Sequence, residues 1–494
     1  MGFGIFPAYA YQPAVVSAHP EATRVGIEIL KKGGNSADAA IATAFALSVV
    51  EPFNSGLGGG GFLLYYDAKA KKFSFVDYRE TAPIKASEAL YRKDPSRLSK
   101  GILSVAVPGF VKGMGTIHKK WGSKAWDELI YPAIDLARKG IPIREKLEEK
   151  LKETAPVFKD DPAFTALYAD PYEKKNGKIV QTDLAETLDE IRKNSASFYT
   201  GSLAKKIARF MKKSGGLITE ADLRSYPVYF RKPYQFQREP YKIISAPLPS
   251  SGGAALDLLF KKAIINNLDR ARPFSPEAFE TVMKGIKDYF DYREIALADT
   301  ASNIATHTTH LSVIDKDGNI ASMTNTLNSP FGSGVVVPET GIILNNEMAD
   351  FSLKAHTANA IRPGRRPLSS MSPSIVFKKG KPYLVIGTPG GFNIPVNLFQ
   401  VFLFVWDWKA SFAGAIARPK IYYSPAADKI LVEPKVSNNI REALAGQGTI
   451  EEQPPTGNVQ ALLIQNEKKT LTISDPRGEG KGFADTSFQK SGRQ

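Results

Sequence analysis

The chain has 494 residues, 43% hydrophobic and 23% charged, the profile of a folded globular protein of several domains or one large fold, which excludes disordered and collagen-like classes. It has no cysteine, and its five histidines, at 19, 118, 307, 310 and 356, lack a metal-ligand spacing; disulfides and thiolate chemistry are excluded, and no metal or other cofactor is expected. The net charge of +15 comes from scattered pairs such as Lys31–Lys32, Lys71–Lys72 and Lys212–Lys213 without interleaved aromatics, so a solvated basic surface is expected and not a nucleic-acid partner.

The first ten residues, MGFGIFPAYA, end in an Ala-x-Ala-like pattern and read as the remnant of an export signal, giving an expected periplasmic or secreted location. A strand at Pro13–Ser17 leads into a helix at Glu21–Lys32, stopped by Gly33–Gly34. Asn35–Ser36 can cap a second helix, Ala37–Val50, whose many alanines predict close packing against a sheet. After the glycine run at 56–61, Phe62–Tyr66 and Phe73–Tyr78 read as a hairpin. The run lacks the Gly-Lys-Ser/Thr ending of a phosphate loop.

From Gly113 to Arg293 the pattern is mostly helical, with a Pro-Leu-Pro-Ser-Ser-Gly-Gly turn at 247–253 leading into a helix at Ala254–Asn266. Beyond Thr308 the texture changes to strands. Leu311–Ile314 and Ile320–Thr326 flank an Asp-Lys-Asp-Gly turn, and further strands are predicted at 342–345, 374–377 and 383–387. Asn397–Phe412 reads as a buried helix, too short and too often interrupted by polar residues to span a membrane. Helices covering strands on two faces predict a layered α/β or α+β fold.

The chemistry centres on His307-Thr308-Thr309-His310, a pair of threonines at the mouth of a predicted strand. Taken alone, these residues fit an ordinary strand end. They stand, however, within an ordered series. It comprises Gly33 to Ala40, the glycine run to Phe62, Asp77 to Pro83, Val107-Pro108-Gly109 and Pro249 to Gly253. It continues with Thr308 to Ser312, Thr326-Leu327-Asn328, Phe331 to Gly334, Asn345-Asn346-Glu347, Asp350-Phe351-Ser352, Arg366 to Pro373 and Pro389-Gly390-Gly391. In these segments the chain resembles the γ-glutamyltransferase family, also called γ-glutamyltranspeptidase or glutathione hydrolase.

The resemblance implies an α+β fold, an αββα four-layer sandwich of the N-terminal-nucleophile type. It implies a precursor that cleaves itself between His307 and Thr308 into a large subunit, 1–307, and a small one, 308–494, which remain one folded unit. The freed α-amine would then serve as the base that activates the Thr308 hydroxyl. By the same resemblance Thr326 orients Thr308, and Gly390 and Gly391 present N–H groups to the oxyanion. Arg79, Ser369 and Ser370 receive the α-carboxylate of a γ-glutamyl group, and Asn328, Glu347 and Asp350 hold its α-ammonium. The implied partners are a γ-glutamyl peptide such as glutathione and a water or amino-acid acceptor.

The chain departs from the family pattern at several places. Only fourteen residues separate Arg293 from Thr308, and Ser352–Arg365 is short where relatives carry a lid, which points to an open site able to admit large or polymeric substrates. Ala349, Lys420 and Phe392–Asn393 replace residues frequent in the family. Two alternatives therefore stand beside γ-glutamyl transfer: hydrolysis of poly-γ-glutamate or another acyl amide, and an uncleaved, non-catalytic binding scaffold.

Overall fold

The computed structural model describes residues 11–297, 307–354 and 356–486. The export-signal reading at 1–10 and most of the segment leading to Thr308 lie outside the described residues.

Two sheets form the centre of the molecule. In chain order the strands are β1 (Ala14–Ser17), β2 (Gly60–Asp67), β3 (Lys72–Tyr78), β4 (Tyr229–Arg231), β5 (Tyr234–Arg238), β6 (Tyr241–Ser245), β7 (His307–Ile314), β8 (Ile320–Asn328), β9 (Ser374–Lys378), β10 (Lys381–Gly387), β11 (Gln460–Asn466), β12 (Lys469–Ser474) and β13 (Lys481–Ala484). The first sheet runs β13-β1-β7-β8-β2-β3-β4 and the second β12-β11-β10-β9-β6-β5.

Period-two alternation separates the faces of the first sheet. Val15, Leu63, Tyr65, Leu311, Val313 and Met323 join the apolar cluster beneath the outer helices α1 (Pro20–Lys31), α2 (Ser36–Val50), α3 (Phe110–Trp121) and α4 (Trp126–Lys139). Their neighbours Ala14, Val16, Phe62, Leu64 and Ile314 join the cluster shared with the second sheet. That sheet is covered in turn by α5 (Gly252–Ile265), α6 (Pro276–Leu297) and α7 (Ile394–Trp406). The order helix, sheet, sheet, helix is the expected four-layer sandwich.

All fifteen residues of α2 are buried, which accounts for the alanines: small side chains let the helix lie against α1 and the sheet together. Asn35 caps it, its side chain accepting from Ala37 N and Asp38 N, while Asp38 returns a bond to Asn35 N at 3.0 Å. The same Asp38 carboxylate accepts from Ser123 N (3.0 Å), Ser123 Oγ (2.5 Å) and Lys124 N (3.3 Å), so it fastens the loop between α3 and α4.

The structure corrects the sequence reading in two places. The stretch from Gly113 to Arg293 holds β4, β5 and β6, whose mixed aromatic and charged residues concealed their alternation. The buried helix begins at Ile394 and stops at Trp406, followed by a separate short helix at Phe412–Ala417. Among the described residues no helix is long and apolar enough to cross a membrane.

Asp38→Ala leaves several buried donors unsatisfied. It is expected to destabilise the protein by roughly 2–4 kcal/mol, seen as a lowered denaturation midpoint, whereas Asp38→Asn should cost less.

Candidate active site

Strands β7 and β8 pair with Thr308 opposite Thr326, and the register then slips so that Asn328 faces His307. This irregularity gathers three groups on one hydroxyl. Thr308 Oγ donates to Thr326 Oγ at 3.3 Å, Asn328 N donates to it at 2.8 Å, and Thr326 Oγ itself donates to the His307 carbonyl at 3.0 Å. The nucleophile candidate and the carbonyl before it are thus joined through one side chain. Both threonines are buried.

The glycine run explains how β8 is held. A Cβ on Gly59 would lie 2.1 Å from the Thr326 carbonyl, and one on Gly61 2.3 Å from that of Thr324, so only glycine allows this approach. Gly59 O in turn accepts Gly109 N and Phe110 N, both at 2.9 Å, which anchors the start of α3.

Arg79 follows β3 and is 1% exposed. One guanidinium nitrogen meets Glu347 at 2.6 Å; the other contacts Asp350 and donates to Leu368 O at 3.0 Å. Glu80 is farther, at 3.8 Å. Burial works against the charge of Arg79, but the three carboxylates outweigh it and hold the group firmly protonated. Burial pushes the Glu80 carboxyl up to about 7 and that of Glu347 well above the usual range, against the pull of Arg79. Asn328, with φ at +78°, turns its amide to Asp350 (3.3 Å) and to Asn346 O (3.2 Å). The Asp350 side chain is 25% exposed, so the cluster opens to solvent on that side.

Ser369 and Ser370 follow directly on Leu368, whose carbonyl meets Arg79, and are clamped by the turn before α5. Ser251 N and Ser251 Oγ both donate to Ser369 O, at 2.8 and 3.1 Å, and Ser369 N donates to Pro249 O at 2.9 Å. Ser369 Oγ accepts from Met371 N at 3.2 Å, and Ser370 Oγ from Arg293 at 2.8 Å. Gly390 and Gly391, both with positive φ, make the turn between β10 and α7, where backbone N–H groups at the start of a helix suit a developing negative charge.

A cleft of about 640 Å³ adjoins His307 and Pro389, walled by Lys146, Lys150 and the loop 453–458. Glu51, at the end of α2, also lines it; its carboxylate accepts from Thr309 Oγ at 2.7 Å and from Asn54 at 3.3 Å. Burial raises Glu51 to about 7, opposed by those two hydrogen bonds. His310, by contrast, is structural. It is wholly buried between Thr324 and Ser312, and burial lowers its imidazole to about 3.

The structure therefore gathers the predicted residues into three adjoining groups: Thr308 with Thr326 and His307; Arg79 with Asn328, Glu347 and Asp350; and Ser369 with Ser370. Gly390 and Gly391 stand at the head of α7. The departure at Lys420 lies elsewhere, fully buried, with its amine on the carbonyls of Ile416 and Arg418. Phe392 and Asn393 are buried as well, just beyond the glycine turn. Sequence reasoning missed Glu51, although an acid between Val49-Val50 and Pro52-Phe53 is a signal of burial, and it missed Arg293, one turn beyond Tyr289.

A threonine at the start of a central strand, between the two sheets of a four-layer α+β sandwich, defines the N-terminal-nucleophile class of hydrolases. The γ-glutamyltranspeptidase family model matches residues 22–306 and 296–484, and the chain belongs to that family. It is 33% identical to the glutathione hydrolase proenzyme of Bacillus subtilis over 537 aligned positions, covering 96% of this chain and 90% of that one. It is 36% identical to the proenzyme of Pseudomonas aeruginosa, covering 95% and 94%. Among solved structures, cephalosporin acylase from Bacillus halodurans superposes with a TM-score of 0.82 at 26% identity, over 98% of this chain and 99% of that one. The γ-glutamyltranspeptidase of Helicobacter pylori gives 0.51 at 34% identity, over 60% and 85%.

Glu51 titrates near 4.5 when unfolded, so the native state carries the extra proton between about 4.5 and 7. The stability this contributes is complete below that window and lost above it. Glu51→Gln, which can keep both hydrogen bonds, should leave the melting temperature unchanged at pH 4 and raise stability at pH 8, by at most about 3 kcal/mol. Equal shifts at both pH values would refute this titration.

Proposed function

We propose that this chain is an autoprocessed γ-glutamyl hydrolase and transferase, with Thr308 as its nucleophile and residues 1–307 and 308–494 as its subunits. The observation that carries this reading is the hydrogen-bonded series Thr308 Oγ, Thr326 Oγ, His307 O in a chain of this family. It supplies a route for self-cleavage. As Thr308 Oγ attacks the His307 carbonyl carbon, its proton passes to Thr326 Oγ while the Thr326 proton passes to the carbonyl oxygen. Collapse breaks the C–N bond, frees the Thr308 α-amine and leaves an ester, which water opens.

The freed amine then takes the hydroxyl proton in each turnover. Thr308 Oγ attacks the γ-carbonyl of the donor, the oxyanion is met by the N–H groups of Gly390 and Gly391, and the leaving amine departs with a proton. Water or an amino acid accepts the γ-glutamyl group. Arg79, Ser369 and Ser370 bind the donor's α-carboxylate, and Asn328, Glu347 and Asp350 its α-ammonium. The chemistry calls on no cofactor. The same reading puts the enzyme in the periplasm or outside the cell, as the resemblance implies.

A second reading, hydrolysis of bulkier acyl amides or poly-γ-glutamate by the same nucleophile, is favoured by the partly exposed Asp350 and by the short loop that follows it. That loop is pinned back by Asn359, which donates to Asp350 O at 2.7 Å and accepts from Leu368 N at 2.9 Å.

Denaturing mass spectra should show two fragments meeting at His307–Thr308, and Thr308→Ala a single full-length chain. Thr326→Ala is expected to slow cleavage by about 100-fold or more, since it removes both an oxyanion donor and the relay. An uncleaved, inactive wild-type protein would overturn the reading in favour of the binding scaffold. Cleavage with turnover confined to large acyl amides would favour the second reading.

A further inference from the structure

The cleft beside His307 is a second chamber and not an extension of the donor site. None of Arg79, Asn328, Glu347, Asp350, Ser369 and Ser370 lines it. It reaches the reaction centre from another side, at His307 before Thr308 and at Pro389 before the glycine turn. Self-cleavage as proposed would detach His307 from Thr308 and open this chamber to the acylated hydroxyl. Its volume of about 640 Å³ has room for a small amine.

Glu51 is the group in this cleft whose surroundings are incomplete. It is 5% exposed and stands at the C-terminal end of α2, where the helix dipole disfavours a negative charge. Both of its hydrogen bonds come from neutral groups, Thr309 Oγ and the Asn54 amide, and among the described residues no basic side chain pairs with it. The basic residues of the cleft are engaged elsewhere: Lys146 pairs with Glu149 and Lys150 with Glu153, each at 2.8 Å, and Arg477 with Glu433 at 2.9 Å. Glu479, on the same cleft, adds to the negative potential at Glu51. A buried carboxylate without a cation is costly, and a cationic ligand would supply the missing partner.

The reaction brings such a cation. Aliphatic amines that take a γ-glutamyl group are ammonium ions near neutral pH, whereas the competing acceptor, water, is uncharged. Thr309, which donates to Glu51, follows Thr308 directly, so the carboxylate stands one residue from the reaction centre. We propose, resting on the γ-glutamyl reading, that the cleft is the acceptor site and that Glu51 holds the ammonium of the incoming amine, favouring transfer over hydrolysis. The ammonium gives one proton to the Glu51 carboxylate, which returns it to solvent. The freed lone pair forms the C–N bond to the acyl carbon, and the C–Oγ bond to Thr308 breaks. The second proton shed by nitrogen passes by way of the Thr308 α-amine to Thr308 Oγ.

The test uses γ-glutamyl p-nitroanilide as donor and two acceptors of nearly equal shape, ethylamine, a cation at pH 7, and methoxyamine, which is neutral there. Each transfer product is measured against free glutamate, and self-cleavage and melting temperature are followed in parallel. Glu51→Gln should lower the ratio of ethylamine transfer to methoxyamine transfer by about 10- to 100-fold relative to wild type, and Glu51→Asp by less. A merely structural glutamate would, on mutation, shift both products equally and leave the ratio unchanged.

If the glutamine variant does not mature, wild type carries the test itself. Tetramethylammonium, a cation that cannot attack, should raise the KM for ethylamine, and uncharged tert-butanol at the same concentration should not. Equal ratios in wild type and variants, equal effects of the two additives, or transfer to neither amine, with the donor still hydrolysed, would overturn the role of Glu51 alone. A wild type inert towards the donor would overturn the functional reading and Glu51 with it.

Discussion

The hydroxyl of Thr326 meets the side chain of Thr308, the backbone N–H of Asn328 and the carbonyl of His307, three groups that fall together only in one strand register. With Thr308 opposite Thr326, the slip after Thr326 brings Asn328 level with His307 and turns it into positive φ, from which its amide reaches Asp350. Shifting β7 by one residue would exchange the Thr308 face for the Thr309 face and send the Thr308 hydroxyl towards α2. The neighbouring parts guard this register. The glycine run presses its backbone onto β8, and on the opposite face Leu311, Val313 and Met323 are fixed beneath the helices.

Around that hairpin the polar motifs act mostly as joints. Asp77 receives Arg231 at 2.6 Å and also pairs with Arg366, and the Arg366 guanidinium donates to Asp77 O at 2.7 Å. Asn345 holds Gly58 O and both backbone groups of Ala106. Glu433 binds Arg477 at 2.9 Å and receives Thr456 N at 3.3 Å, which ties down the loop walling the cleft beside Pro389. These joints link segments more than 150 residues apart, or fix a loop at the site. Buried polar groups of this kind favour one arrangement more than they add raw stability.

Much of this was legible in the sequence, for reasons that differ from residue to residue. Asn35 and the alanines of α2 declare themselves locally, through capping chemistry and side-chain size. Thr308, Thr326, Arg79 and Asp350 do not: each fits a bland reading, and only their order along a chain resembling a known family marked them. The strands β4 to β6 were missed because Tyr229, Phe230 and their charged neighbours sit partly exposed, which blurs the alternation of a buried face. Glu51 and Arg293 were missed because their importance lies in partners far along the chain, Thr309 and Ser370, which no local pattern reports.

The strand order of the first sheet has a consequence for assembly. β7 and β8, from the second half of the chain, lie between β1 and β2, from its first eighty residues, while β13 caps the far side of β1. Were the bond before Thr308 cut as proposed, the two polypeptides would remain interleaved like the fingers of clasped hands. Separating them means tearing a seven-stranded sheet along several ladders at once. The intact precursor finds its partners within one molecule; two fragments would have to meet by diffusion and re-thread the sheet. A protein cut there would owe its persistence to slow disassembly, having lost the connection that keeps its partner strands in one molecule.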